Sequence, residues 1–354
     1  MVSKLEPHFN SWAWSDRHVV NVSLTYCQRR NGQARRNKTL THSNETTPGL
    51  YQRTLKRSIH CTGVGLHSGA KVSMKLKPAD ADTGIVFVRT DPRGGQAEIP
   101  ALWDRVVDTR MCTVIGNGRG VNVGTVEHLI AGLSGAGVDN VVIEIDGPEV
   151  PIMDGSAAPF VFLAECAGVE EQNQRRKVLR VCKQIAVGDA NRRATLTPGF
   201  GSSFSFEIAF DHPMMKHNVG SLALEGDAFK TDIARARTFG FLHEVEELRR
   251  LGLARGGSLD NAVVISGDTI LNEEGLRFDD EFVRHKILDS VGDLYLAGHR
   301  IIGHFHGWRS GHMLNNKLLH AMFADAASFE LSEITEDDLQ SESWAFRPRL
   351  AATA

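Results

Sequence analysis

Apolar and polar residues alternate along Val72-Ser73-Met74-Lys75-Leu76-Lys77, a period-two pattern that predicts a half-buried strand stopped by Pro78-Ala79-Asp80. The period changes over Thr125-Val126-Glu127-His128-Leu129-Ile130-Ala131-Gly132-Leu133, which predicts a helix with Thr125 as its N-cap and an end at Gly135 or Gly137. A strand is expected next, over Val141-Val142-Ile143-Glu144-Ile145. The second half repeats this order. Residues 282–296 carry a helical pattern, Ala297-Gly298 ends it, and Ile301-Ile302-Gly303-His304-Phe305 has the composition of a strand. A short string also recurs, at Asp139-Asn140-Val141-Val142 and at Asp260-Asn261-Ala262-Val263-Val264. Chance alone produces matches this short, but the repeated helix–strand order adds to them. The expectation is an α+β fold of two related domains, each a small β-sheet packed with helices, with the active site between them. The domains would span 51–172 and 179–340, joined through residues 173–178, which overlap the polar stretch 170–176.

The first 50 residues lack this periodicity and carry seven Lys/Arg against three Asp/Glu, so they are expected to be a disordered extension. Their bias is weakly that of a transit peptide, and a bacterial extension or a misplaced start explains it as well. Residues 341–354 are expected to be a tail. Of the net charge of -3 over 354 residues, the extension holds +4, so the remainder is mildly acidic and gives no electrostatic reason to expect nucleic acid. Five cysteines, an odd number and widely spaced, form no Cys-x-x-Cys pair, which argues against a disulfide framework or a thiolate metal knuckle and for a reducing cytoplasm. No apolar run approaches the ~18 residues of a bilayer-spanning helix, so membrane contact would be peripheral at most. A monomer is expected.

The candidate chemistry concentrates in residues 282–293. On one helix His285, Asp289 and Asp293 share a face, and an imidazole and a carboxylate one turn apart can both reach one Zn²⁺. For an isolated His-x-x-x-Asp, a solvated polar stripe is the commoner explanation. His128 would supply a third ligand and leave a fourth position for water, the arrangement of a catalytic site. Glu127 beside it would then be free to take a proton from that water. By itself, Glu127 is equally an acid favoured by a helix N-terminus. His312, on a glycine-bearing loop leading into a helix, is a candidate general acid, because its ordinary pKa lets its surroundings set its charge. A His/His/Asp set does not distinguish zinc from ferrous iron.

Six strings in order carry a resemblance: Gly63-Val64-Gly65-Leu66-His67, Thr125-Val126-Glu127-His128-Leu129, Pro151-Ile152-Met153-Asp154-Gly155-Ser156-Ala157, Arg237-Thr238-Phe239-Gly240-Phe241, the His285 helix, and residues 310–318. From about Tyr51 to the neighbourhood of Ala324 the sequence resembles the bacterial UDP-3-O-acyl-N-acetylglucosamine deacetylases of lipid A biosynthesis. The resemblance implies that His128, His285 and Asp289 bind zinc, that Glu127 is the general base, and that His312 acts as a cation close to Asp293. It implies that Thr238 lends its hydroxyl to the oxyanion, which agrees with the need for a preplaced donor there. His67, Lys286 and Arg309 would lie near the sugar or diphosphate of a UDP-linked acylated amino sugar. Phe239 would contact the substrate and Phe210 would stack on the uracil, although Phe210 also suits a strand core. Arg309 departs from the family's frequent lysine, exchanging a point charge for a planar fork. An insert near 241–264 would enclose the acyl chain, with Val245, Ala254, Ala262 and Val264 suited to a tunnel and equally to an ordinary core. A zinc peptidase is the second enzymatic reading, but His-Glu-x-x-His is absent. A non-catalytic UDP-sugar binder would not need the full set of catalytic positions. Cys112, near the site in the family, is expected to be a small apolar packing residue.

Overall fold

The structure, a computed structural model, describes residues 49–341 apart from 93, 94, 96, 211, 214 and 216–218. The basic extension up to residue 48 and the tail from residue 342 lie outside the described residues. One sheet has five strands in the order Ile59–Val64, Lys71–Pro78, Val141–Ile145, Ile85–Arg89 and Ala97–Pro100. The predicted alternation holds in it. Val72, Met74 and Leu76 are buried while Lys71, Ser73 and Lys75 face solvent. Helices α1 (Glu127–Gly135) and α2 (Ala158–Ala167) share a core with this sheet.

The second sheet has seven strands built around Arg300–Trp308. The first third of that strand runs parallel to Lys177–Val181, its remainder parallel to Ser202–Glu207, and its other edge antiparallel to Arg193–Thr197. Helices α4 (Glu281–Tyr295) and α5 (His312–Phe323) pack on it. A smaller unit precedes α4 in the chain, in which a three-stranded sheet of Phe239–Phe241, Val263–Ser266 and Thr269–Ile270 carries α3 (Leu242–Arg250). Residues 241–264 lie within it.

The two helical layers meet where α1 crosses α4. At Gly292 an added Cβ would lie 2.1 Å from the carbonyl oxygen of Glu127, far inside van der Waals contact, so only glycine lets the backbones come this close. Most residues of both helices are buried, which explains why neither shows the one-sided apolar stripe of a surface helix.

Three expectations change. Residues 169–175 form a strand antiparallel to Tyr51–Leu55, not a free linker, and Arg176 is a buried tie that ion-pairs with Asp139 at 2.7 Å and donates to the carbonyls of Gly49 and Gly137. A half-exposed two-stranded ribbon has no apolar period to detect, hence its polar sequence. The Asp-Asn strings are not equivalent. Asn140 opens a central strand and bonds Gln52, Gln172 and the Gly84 N–H, whereas Asn261 closes a local turn onto Ser258 and Gly256. The expected helix–strand repeat itself is present, as α1 followed by Val141–Ile145 and α4 followed by Arg300–Trp308. Thr125 is not an N-cap: its φ is +54° and its hydroxyl donates to Glu149 at 2.8 Å, so α1 starts at Glu127 without a side-chain cap.

Candidate active site

Helices α1 and α4 bring His128, His285 and Asp289 together, with one ligand atom from each within 4.8 Å of the others. Asp289 Oδ1 stands 3.4 Å from His128 Nε2 and 3.3 Å from His285 Nε2. The two rings are nearly perpendicular. His285 Nδ1 bonds the Ala236 carbonyl at 3.0 Å, which directs the lone pair of Nε2 toward Asp289. Burial drives the pKa of His285 down to about 3, so its imidazole is neutral, the form that can ligate. Burial opposes the charge of Asp289, but the Lys286 ammonium paired with its Oδ2 helps to hold its carboxyl well below the usual range. Asp289 Oδ1 is nonetheless buried without a hydrogen-bond partner. An unpaired buried carboxylate oxygen is costly. A divalent cation would meet that need: donors ~2.1 Å from a tetrahedral centre lie roughly 3.4 Å apart, close to the two distances from Asp289 Oδ1.

Glu127 is fully buried beside this cluster, where desolvation raises its pKa against the pull of His312 and His128. Its Oε2 accepts the Thr113 N–H at 3.1 Å and its Oε1 faces His312 Nε2 at 3.7 Å. His312 is the first residue of α5 and not a loop residue; Gly311 holds the N-cap position. Its Nδ1 donates to Asp293 Oδ2 at 2.8 Å. Burial disfavours a charged His312, but Asp293 and Glu127 prevail and push its pKa up to about 10. Asp293 also accepts from Thr113 Oγ1 at 2.6 Å and Asn315 Nδ2 at 2.9 Å. A base candidate and a protonated acid candidate thus flank the ligand cluster. That arrangement suits hydrolysis of an amide or ester.

Two differently lined spaces adjoin it. One is an apolar cavity of about 250 Å³, whose wall includes His67, Thr238, Phe239, Val245, Ala254, Ala262 and Val264. All four residues proposed for a tunnel therefore share one cavity. Thr238 is held in its wall by backbone bonds to Gly155 and Val263, in the segment whose Ala236 and Phe239 both touch His285. The other cavity, about 340 Å³, gathers Phe210, Lys286 and Arg309 with Arg192. Strand Ser202–Glu207 ends before Phe210, so this ring is not strand core but lies exposed, 6.2 Å from the Phe239 ring. Lys286 Nζ also pairs with Asp289 Oδ2. Arg309 adopts a φ of +50°, and it lines a further space with Arg110, Arg192 and His312. Its guanidinium stands among cations, a setting for an anionic group.

The profile of the UDP-3-O-acyl N-acetylglycosamine deacetylase family matches residues 52–324, most of the chain. The chain belongs to that family. Among its relatives, the UDP-3-O-acyl-N-acetylglucosamine deacetylase of Acidithiobacillus ferrooxidans is 53% identical over 289 residues, covering 81% of this chain and 94% of the relative. That of Pasteurella multocida is 51% identical, covering 82% and 95%, and that of Shewanella pealeana 49%, covering 80% and 92%.

Family membership accounts for the strings but not for every residue at the site. Thr113, Asn315, Arg192 and Glu149 were not singled out for a role by sequence reasoning. Glu149 is a buried carboxylate that accepts the His67 and Ser68 N–H groups and the Thr125 hydroxyl, tying the His67 loop to the start of α1. Its signal in the sequence was slight, a lone acid between glycine and proline-rich turns. Cys112 is buried, and burial pushes its thiol well up, so it remains protonated. The four described cysteines are all free. Among the described residues no helix is long and apolar enough to cross a membrane.

Proposed function

We propose that the chain hydrolyses the N-acetyl amide of a UDP-3-O-acyl-N-acetylglucosamine, releasing acetate and a free 2-amino sugar, the step its family serves in lipid A biosynthesis. The observation that carries this reading is the buried His128/His285/Asp289 cluster with an unpartnered carboxylate oxygen, flanked by Glu127 and by a protonated His312. One zinc ion, or a ferrous ion of similar size, would be held by those three residues and would polarise the acetyl carbonyl and acidify a water. Glu127 takes the proton of the attacking water through Oε1, while its Oε2 stays fixed on Thr113. His312 gives its proton to the departing amine, and Asp293 keeps the imidazolium oriented. Thr238 donates its hydroxyl to the carbonyl oxygen as charge develops.

The cavities sort the rest of the substrate. The apolar space takes the 3-O-acyl chain, and the Lys286/Arg192/Arg309 space takes the diphosphate, with Phe210 offering a face to the uracil. A cytoplasmic, monomeric enzyme is the reading adopted. The test is acetate release from the acylated UDP-sugar by purified protein, with metal content measured on the same sample and casein as the control substrate. Folded protein that holds about one zinc or iron per chain and releases no acetate would overturn the proposal, as would casein cleavage.

A further inference from the structure

We infer that Thr113 is a positioning residue that sets the distance and facing of the base Glu127 and the His312/Asp293 pair. This rests on the hydrolytic reading above. Each of the two carboxylates presents one oxygen to the His312 ring, Glu127 Oε1 to Nε2 at 3.7 Å and Asp293 Oδ2 to Nδ1 at 2.8 Å. The remaining oxygen of each is held by Thr113. Its backbone N–H donates to Glu127 Oε2 at 3.1 Å and its hydroxyl donates to Asp293 Oδ1 at 2.6 Å. One residue, 1% exposed, therefore fixes the rotation of both carboxyl groups about opposite sides of one imidazole.

The two bonds differ in kind. The N–H contact survives any side-chain substitution, whereas the hydroxyl contact is removable. Asp293 has Asn315 as a second clamp, but Asn315 and His312 both bind Oδ2. Without the hydroxyl, Oδ1 is a buried acceptor with no partner, and the carboxylate gains by rotating away from His312. Valine keeps the shape of threonine and removes only the donor.

Thr113→Val is accordingly expected to lower kcat by roughly 10- to 100-fold, the scale of a misplaced catalytic group, with KM for the acylated UDP-sugar within about 2-fold. Metal content should stay at the unsubstituted value, because Thr113 touches none of the three ligands. Thr113→Ser, which keeps the donor, should restore kcat. In an Asp293→Ala background, Thr113→Val should have no further effect on kcat, since the group it positions is gone. Additive losses in the double variant, failure of serine to restore turnover, or an unchanged kcat in Thr113→Val would each overturn the inference, and so would loss of metal in step with activity. If the unsubstituted protein releases no acetate, the hydrolytic reading fails; if it does and Thr113→Val matches it, only the positioning role fails.

Discussion

The buried His/Asp centre and the apolar cavity lie side by side yet are built in opposite ways. The centre sits on α1, α4 and α5, where His128, His285, Asp289 and Asp293 are nearly inaccessible and the polar groups are tied to one another. The cavity is walled by a small three-stranded sheet and by α3, a helix none of whose residues is buried, and one of its lining residues, Leu271, is exposed. Burial makes the first site exact and intolerant, because each charge there depends on a partner. The second needs only apolar lining and space, so it can vary with the ligand.

Five substitutions and one pH series sharpen or break this contrast. The largest effect is expected at the centre: Glu127→Gln should retain metal and lose about 10²-fold or more in kcat, whereas His128→Ala should lose the metal itself. Metal loss in both would erase the distinction between base and ligand. In the cavity, Ala262→Leu should raise KM about 10-fold for a long acyl chain, roughly the burial of two methylenes, and leave a short-chain substrate unaffected. Equal losses with both substrates would mean that the cavity wall is coupled to the chemistry.

A smaller effect concerns stability and pH. His312 binds its proton more tightly in the fold, at about 10, than at the ordinary 6.5, so protonation favours the folded state. That contribution is complete below about 6.5 and is lost as pH rises toward about 10. Melting temperatures of chelator-treated protein should therefore fall over that window, and His312→Gln should flatten the slope. Identical slopes in both proteins would refute the assignment. The smallest effect is expected for Cys112→Ala, with kcat/KM within about 2-fold, because a buried protonated thiol is neither ligand nor nucleophile.

How much of this was legible in the sequence follows from the range of the contacts. His285, Asp289 and Asp293 could be placed on one face because helical spacing is local, and the strand over 71–78 showed itself through its alternation. His128 could be joined to them only as a third ligand of the right type. Thr113 could not be found at all, since its partner Asp293 is 180 residues away and a threonine carries no pattern of its own. Arg192 reaches the Lys286 cavity from the turn before Arg193–Thr197, again with no local signal. Residues 169–175 failed for a different reason, because their polarity reflects an exposed ribbon and was indistinguishable from that of a connector. The four tunnel residues were placed by resemblance alone; small apolar side chains in a core and in a cavity wall read the same.

The close passage of Gly292 over Glu127 bears on which parts of the molecule can open first. Backbones in contact there leave no slack between α1 and α4, so solvent cannot reach the amides of either helix at the crossing unless the two layers separate as a whole. Deuterium uptake at residues 128–133 and 287–294 should then track global unfolding, while α3 and its neighbours exchange through small local fluctuations. A ligand entering the apolar cavity would slow the second group and leave the first untouched.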